Sequence, residues 1–162
     1  MMNYEQVTTS YVDAPNYPWI AFAPYSDEIF VKALKADPIS GTFVTLLKAP
    51  GNAVLPTHHH CGIVIVYTIK GRWKYREHAW TAEEGSVVYE TAASTHTPEG
   101  ACDGDVITLN IQVGDSIYLD DKGTVLAIEN WKTMLQRHLD FHKAKGLVPF
   151  DITSFRDQGS PL

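Results

Sequence analysis

Three histidines in the middle of the chain have the residue type and spacing of metal ligands. Thr57 is followed by His58, His59 and His60, and an apolar stretch over residues 63–67 comes directly after them. On an extended segment alternate side chains point the same way, so His58 and His60 share one face and His59 points to the other. Neutral imidazole suits iron, zinc, copper and nickel. The pair on one face is therefore a natural start for a metal site.

A third ligand has to come from elsewhere in the chain, and His96 is the best candidate. It lies in a turn-like stretch after a predicted strand at residues 86–89, and a hairpin-rich barrel can bring that turn opposite the strand of His58 and His60. A run of three histidines is also compatible with an exposed polar loop, so spacing alone leaves both interpretations open. The remaining histidines are interpreted as ordinary core or surface groups.

The elements that must position these residues have the pattern of an all-β protein. From about residue 20 to residue 119, short β-branched and aromatic runs alternate with Gly, Pro, Asp and Asn, which is typical of a sandwich or barrel. Residues 72–76 alternate cleanly and put Trp73 and Tyr75 on one face. After about residue 130 the spacing becomes helical. We predict an N-terminal arm (1–19), a β-barrel (20–128) and a C-terminal helix with a tail (129–162).

Composition narrows the class of protein. The chain has 162 residues, enough for one domain, and its net charge of -6 with no basic stripe argues against nucleic acid as a partner. The first ten residues lack the pattern of a signal peptide, and no apolar stretch approaches the ~20 residues of a membrane span. We expect a soluble, cytoplasmic protein with no membrane partner. Cys61 and Cys102 do not have the paired spacing of a disulfide framework or a thiolate zinc site.

Several of these residues resemble the two conserved motifs of the cupin family. The matching residues are Gly51, His58, His60 and Gly71 for the first motif, and Gly85, Ala93 and His96 for the second. The resemblance implies a double-stranded β-helix, or jelly-roll barrel, that holds a metal ion on the three histidines. Most cupins add a glutamate shortly after the second histidine. Val64 or Ile65 takes that place here, so we expect a three-histidine site.

The string from Thr57 through residues 71–78 to Glu90 is similar to one group of cupins, the acetylacetone dioxygenases and 2,4'-dihydroxyacetophenone dioxygenases. This resemblance implies a non-haem iron(II) enzyme that uses O₂ to cleave a C–C bond of a small β-diketone or aryl hydroxyketone. It also implies that Glu90 and Arg76 lie near the iron. Glu90 would orient a ligand histidine, and Arg76 would offset the charge of Glu90 or of the substrate enolate.

The aromatic residues Tyr67, Trp73 and Tyr75 are candidates for a substrate pocket, although aromatic side chains in a barrel also serve as core. We expect a homodimer, because cupins commonly pair through their sheets.

Two other functions remain open at this stage. One is a zinc-holding cupin that binds a ligand or a partner, as in the cupin half of certain anti-sigma factors. Only about twenty residues precede the first predicted strand, and this argues against a helical sigma-binding domain. The other is a metal-dependent isomerase or hydrolase that uses zinc, nickel or manganese, because intrinsic affinity alone does not select iron.

Overall fold

Three antiparallel sheets, one α-helix and a short 3-10 helix (Ala14–Asn16) are the regular elements of the described part of the chain. The computed structural model describes residues 9–155, so parts of the predicted arm and tail lie outside the described residues. The strands are β1 (Ile20–Ala21), β2 (Phe30–Ala36), β3 (Thr42–Pro50), β4 (His58–His60), β5 (Val64–Lys70), β6 (Trp73–Tyr75), β7 (Val87–Glu90), β8 (Thr95–His96), β9 (Pro98–Gly100), β10 (Asp105–Val113), β11 (Ser116–Leu119) and β12 (Val125–Glu129), and the helix is α1 (Trp131–Lys145). The predicted all-β fold with a C-terminal helix is confirmed.

The order of the strands decides which residues face each other. The larger sheet runs β1-β2-β3-β10-β5-β7, the smaller runs β12-β11-β4-β8, and β6 pairs with β9. Strand β4 is the central link of the site, because β8 pairs with it on one side and β11 on the other. The register places His96 opposite His58, and Ser116 opposite His60. The smaller sheet therefore gathers all three predicted metal ligands.

The buried apolar side chains form two clusters. The larger contains Val31, Phe43 and Tyr118 and extends to Met134 on the helix. The smaller contains Val64, Val66, Trp73, Tyr75, Ala82 and Val106. Burying such side chains contributes ~25 cal/mol per Å² of apolar surface and fixes the strand faces. None of the helices in residues 9–155 combines the length and the apolar character that crossing a membrane requires.

Helix α1 begins and ends where its sequence requires. The Asn130 side chain accepts hydrogen bonds from the backbone N–H groups of Lys132 and Thr133, and the Thr133 hydroxyl accepts one from the backbone of Asn130. Gly146 ends the helix in the left-handed conformation, with φ of 66°. The buried face consists of Met134, His138 and His142. Through Met134 this face packs against the larger apolar cluster.

Two glycines, Gly51 and Gly100, allow two backbone segments to come into close contact. A Cβ on Gly100 would lie 2.3 Å from the carbonyl oxygen of Gly51, far closer than atoms can approach. We expect Gly100→Ala to lower the free energy of unfolding by about 2 kcal/mol, because a backbone neighbour cannot move aside as a flexible side chain can. Urea unfolding measures this. Gly104→Ala is the matched control, since its Cβ would meet nothing within 4 Å. Equal stability of the two variants would contradict the close contact.

Candidate metal centre

Three histidine side chains from β4 and β8 meet in a buried cluster. The pleat of β4 turns His58 and His60 inward, with exposed fractions of 6% and 4%, and leaves His59 facing outward against Thr95. His96 joins them from β8 and is 3% exposed. One ligand nitrogen from each ring lies within 4.8 Å of the others, and the Nε2 atoms of His60 and His96 are 3.2 Å apart. The structure thus brings the three predicted ligands together.

Hydrogen bonds on the far side of two rings fix their tautomers. The Nδ1 of His58 lies 3.1 Å from the carbonyl oxygen of Pro56, which can only accept, so this Nδ1 carries the proton. The Ser116 hydroxyl donates to Gln112, so it accepts from the Nδ1 of His60 at 3.0 Å. Both rings then keep an unprotonated Nε2 for the site. Burial, reinforced by the charges of the two neighbouring histidines, lowers the pKa of His58 to about 3.

The hydrogen bond between Ser116 and His60 makes a testable contribution to metal binding. We expect Ser116→Ala to weaken metal affinity by about 10 to 100-fold, because the His60 ring loses the partner that fixes its tautomer and orientation. Competition with a chromogenic chelator measures the affinity. Ser94→Ala is the control, because the buried Ser94 hydroxyl has no hydrogen-bond partner within residues 9–155. A Ser116→Ala protein that binds metal as tightly as Ser94→Ala would show that this hydroxyl does not support the ligand.

Glu90, at the end of β7, places a carboxylate against the histidine nitrogens. Its Oε2 lies 2.9 Å from the Nε2 of His60 and 3.4 Å from the Nε2 of His96. The Tyr75 hydroxyl donates to the other oxygen, Oε1, and the Tyr75 ring stacks on His96 at 3.8 Å. Burial by itself would raise the pKa of Glu90, but its contacts with the imidazoles of His60 and His96 outweigh burial and lower the pKa to about 2. Glu90 is therefore a carboxylate at neutral pH.

The chemistry of this donor set fits a divalent metal ion. The tautomers of His58 and His60 direct electron pairs toward the centre, and the Glu90 carboxylate adds a negative charge beside them. Acceptor atoms this close together repel one another unless a cation or a proton lies between them. Imidazole nitrogens with a carboxylate oxygen suit zinc, iron, nickel and manganese. His58, His60 and His96 would hold the metal, with Glu90 directly adjacent.

Two of the residues predicted near the site lie elsewhere. Arg76 does not reach Glu90: its side chain is 54% exposed and forms an ion pair with Glu99 at 2.8 Å. Arg76 lies in the turn that directly follows β6, outside the predicted strand alternation. Tyr67 is 42% exposed on the outer face of β5, because the pleat that buries Val66 directs its neighbour to the other side. The predictions of a charge-offsetting role for Arg76 and a pocket role for Tyr67 are not supported by this geometry.

Trp73 and Tyr75 do face inward, with exposed fractions of 6% and 4%. Both line a cavity inside the barrel. This inner cavity has a volume of about 90 Å³ and reaches His58, His60 and Glu90. A second space, the outer groove, has a volume of about 630 Å³ and reaches Glu90 and His96 from the other side. The candidate metal centre lies between the two.

Sequence reasoning missed the contribution of β11. Ser116 bonds to His60, and the Tyr118 ring lies 4.9 Å from the ring of His58. Burial, followed by the nearby charge of Glu129, raises the pKa of Tyr118, so its hydroxyl stays protonated. The only signal in the sequence is that these two residues alternate on a short strand, and that pattern does not specify what they face.

The jelly-roll fold and the buried histidine cluster together define a cupin with a candidate metal centre. A model of the ChrR cupin-like domain matches residues 7–115, and the chain belongs to that family. A search of the curated proteins gave no significant match.

Solved structures agree on the fold. An RmlC-like cupin protein from Ralstonia eutropha JMP134 is 49% identical, with a TM-score of 0.90 over 95% of this chain and 99% of that one. An acetylacetone dioxygenase from Acinetobacter johnsonii is 20% identical, with a TM-score of 0.76 over 86% and 97% of the two chains. A chain from the Rhodobacter sphaeroides complex of SigE with the anti-sigma ChrR is also 20% identical, with a TM-score of 0.50 over 60% and 50%. The predicted membership in the cupins, with dioxygenases among the relatives, is confirmed.

Proposed function

We propose that this protein is an iron(II)-dependent dioxygenase that cleaves a C–C bond of a small β-diketone or aryl hydroxyketone. The observation that carries the proposal is the convergence of three buried histidines, His58, His60 and His96, beside a cavity. A metal on three neutral protein ligands keeps its full charge and has open positions, which is the arrangement of a catalytic site. The enolate of a diketone would supply two oxygens and the missing negative charge. The fold that this chain shares with an acetylacetone dioxygenase supports the same reaction class.

Each residue then has a role that its position permits. A bound iron(II) ion would supply the electrons that activate O₂ toward the substrate. The three histidines would hold the ion, and the Pro56 carbonyl and the Ser116 hydroxyl fix two of the rings. Oε2 of Glu90 orients the imidazoles of His60 and His96, while the Tyr75 hydroxyl holds Oε1 in place. The apolar walls formed by Val64 and Val66 exclude water.

The test combines metal analysis with oxygen uptake. Protein purified without a tag is analysed for metal content, loaded anaerobically with iron(II), and supplied with O₂ and either acetylacetone or 2,4'-dihydroxyacetophenone. The proposal expects about one iron per chain and consumption of one O₂ per substrate molecule. Tightly bound zinc, with no oxygen uptake even after iron loading, would overturn it.

Glu90 gives this proposal a specific mutational test. We expect Glu90→Gln to retain the metal but to slow oxygen uptake by about 10 to 100-fold, because the neutral amide orients the histidines less well. Metal content and the initial rate are measured on the same sample. Glu83→Gln is the control, since within residues 9–155 the Glu83 side chain has a polar contact only with the exposed Arg72. An unchanged rate in Glu90→Gln would remove Glu90 from the reaction.

One observation favours a second function, a zinc-holding cupin that binds a ligand or partner. Glu90 lies close enough to His60 and His96 to complete a closed four-ligand centre, which is typical of structural zinc sites. The match to the ChrR cupin-like domain is compatible with this alternative.

Cobalt(II) substitution separates the two functions. An intense visible spectrum of tetrahedral cobalt(II) that excess acetylacetone leaves unchanged would favour the closed zinc site. A metal-dependent isomerase or hydrolase would instead keep an open position without consuming O₂.

A further inference from the structure

The inner cavity is too small for an aromatic ring. An apolar cavity of roughly 150 Å³ holds one benzene molecule, which corresponds to about 25 Å³ for each carbon atom. The inner cavity has about 90 Å³ and is lined by large side chains, including Phe43, Leu47 and Met134. It therefore has room for a substituent of about four non-hydrogen atoms. A phenyl group could not enter without displacing the core of the barrel.

Polar side chains show that this cavity is suited to a ligand. Thr45 and Tyr118, which both carry hydroxyl groups, line it and are 2% and 7% exposed. Asn110 lies next to Thr45 in the sheet and lines the same space. A core that served packing alone would place apolar residues at these positions.

The outer groove provides the space that the inner cavity lacks. Its volume of about 630 Å³ is lined by Trp80, His78 and Tyr89, and Glu90 and His96 form part of its wall. The rings of His78 and Trp80 stack at 5.3 Å, and the Trp80 ring also packs against Tyr75. This wall offers aromatic surface directly beside the candidate metal centre. A planar apolar group suits it.

We propose that the site takes an unsymmetrical chelating ketone, with an arm of about four non-hydrogen atoms or fewer in the inner cavity and an aromatic arm in the outer groove against Trp80. This inference rests on the proposed function for the chelating part of the substrate. It adds the size limit, the direction in which each arm points, and the residues that set them.

Three diketones that differ only in their arms test the inference. Protein loaded with cobalt(II) is titrated without oxygen, and the chelate is followed by its visible absorption. Acetylacetone has two methyl arms, 1-phenyl-1,3-butanedione has one methyl and one phenyl arm, and 1,3-diphenyl-1,3-propanedione has two phenyl arms. We expect the first two to bind with affinities within about 10-fold of each other, and the third to bind at least 100-fold more weakly, because one of its rings must enter the inner cavity.

Two variants assign the arms to their spaces. Leu47→Ala enlarges the inner cavity and should raise the affinity for the diphenyl compound at least 10-fold, whereas the control Leu34→Ala, a core change outside the cavity lining, should not. Val66→Ala replaces Leu47→Ala if that protein does not fold. Trp80→Ala should weaken the monophenyl compound about 10-fold more than it weakens acetylacetone.

The outcomes separate this inference from the proposed function. Equal affinity of the unmodified protein for the monophenyl and diphenyl compounds would overturn the inference, as would failure of all three to bind. A Trp80→Ala protein that binds both smaller compounds as the parent does would also overturn it. If the predicted binding order holds but the iron-loaded protein consumes no O₂ with any of the three, the inference stands and the proposed function is wrong.

Discussion

Replacing His96 with alanine should reduce bound metal from about one ion per chain to nearly none. His96 provides one of three converging imidazoles, and its Nε2 lies 3.2 Å from the Nε2 of His60. A site reduced to two neutral nitrogens and the adjacent Glu90 carboxylate loses one of its strongest donors, so we expect metal affinity to fall more than 100-fold. Elemental analysis of dialysed protein measures the loss. Circular dichroism should show the barrel still folded, because β8 contributes only two residues to its sheet.

His59→Ala is the matched control for this experiment. His59 lies on the same strand as two of the ligands, but its ring faces outward and its Nδ1 is 2.9 Å from the hydroxyl of Thr95. We expect this variant to retain its full metal content. If His96→Ala keeps its metal, or if both variants lose it equally, the three-histidine centre is wrong.

Arg137→Ala should destabilise the fold by about 3 to 5 kcal/mol, the largest stability effect that we predict. The side chains of Arg137 and Glu129 are 13% and 7% exposed and form an ion pair that joins α1 to the end of β12. The guanidinium also donates to the backbone carbonyls of Ala21 and Ala23. Removing it leaves the Glu129 carboxylate buried with its countercharge lost, although Tyr25 still donates to it. Urea unfolding followed by tryptophan fluorescence measures the change.

Arg72→Ala, which removes an exposed ion pair, is the control for Arg137→Ala. Arg72 lies 3.4 Å from Glu83, with side chains that are 55% and 64% exposed, and such surface pairs contribute about 0 to 1 kcal/mol. Arg72→Ala should therefore unfold at nearly the same urea concentration as the parent protein. If the two arginine variants have similar stability, the Arg137 ion pair does not anchor the helix.

The sequence by itself predicted features that depend on local periodicity. The alternation through Trp73 and Tyr75 predicted which side chains face inward, and the two-residue spacing of His58 and His60 predicted their common face. The helical spacing after Asn130 predicted α1. These features follow from backbone geometry within one element, where the period of two or 3.6 residues fixes the direction of each side chain.

Where the local pattern was ambiguous, packing decided the outcome. The continuous apolar run that includes Tyr67 has no period, so only the sheet shows that this residue faces outward. On the helix, the apolar Leu139 is 40% exposed, while its polar neighbour His138 is fully buried. The angle at which α1 docks on the barrel determines this, and the helix sequence alone does not encode that angle.

The candidate site depended most on tertiary structure. His60 and His96 are 36 positions apart in the chain, and His60 and Ser116 are 56 apart. Strand pairing brings them within hydrogen-bond distance, and it also carries Arg76 to Glu99 rather than to Glu90. Residue types in the sequence showed which side chains could bind a metal. Which of them meet was decided by strand register, because a shift of one residue reverses the face of every side chain on a strand.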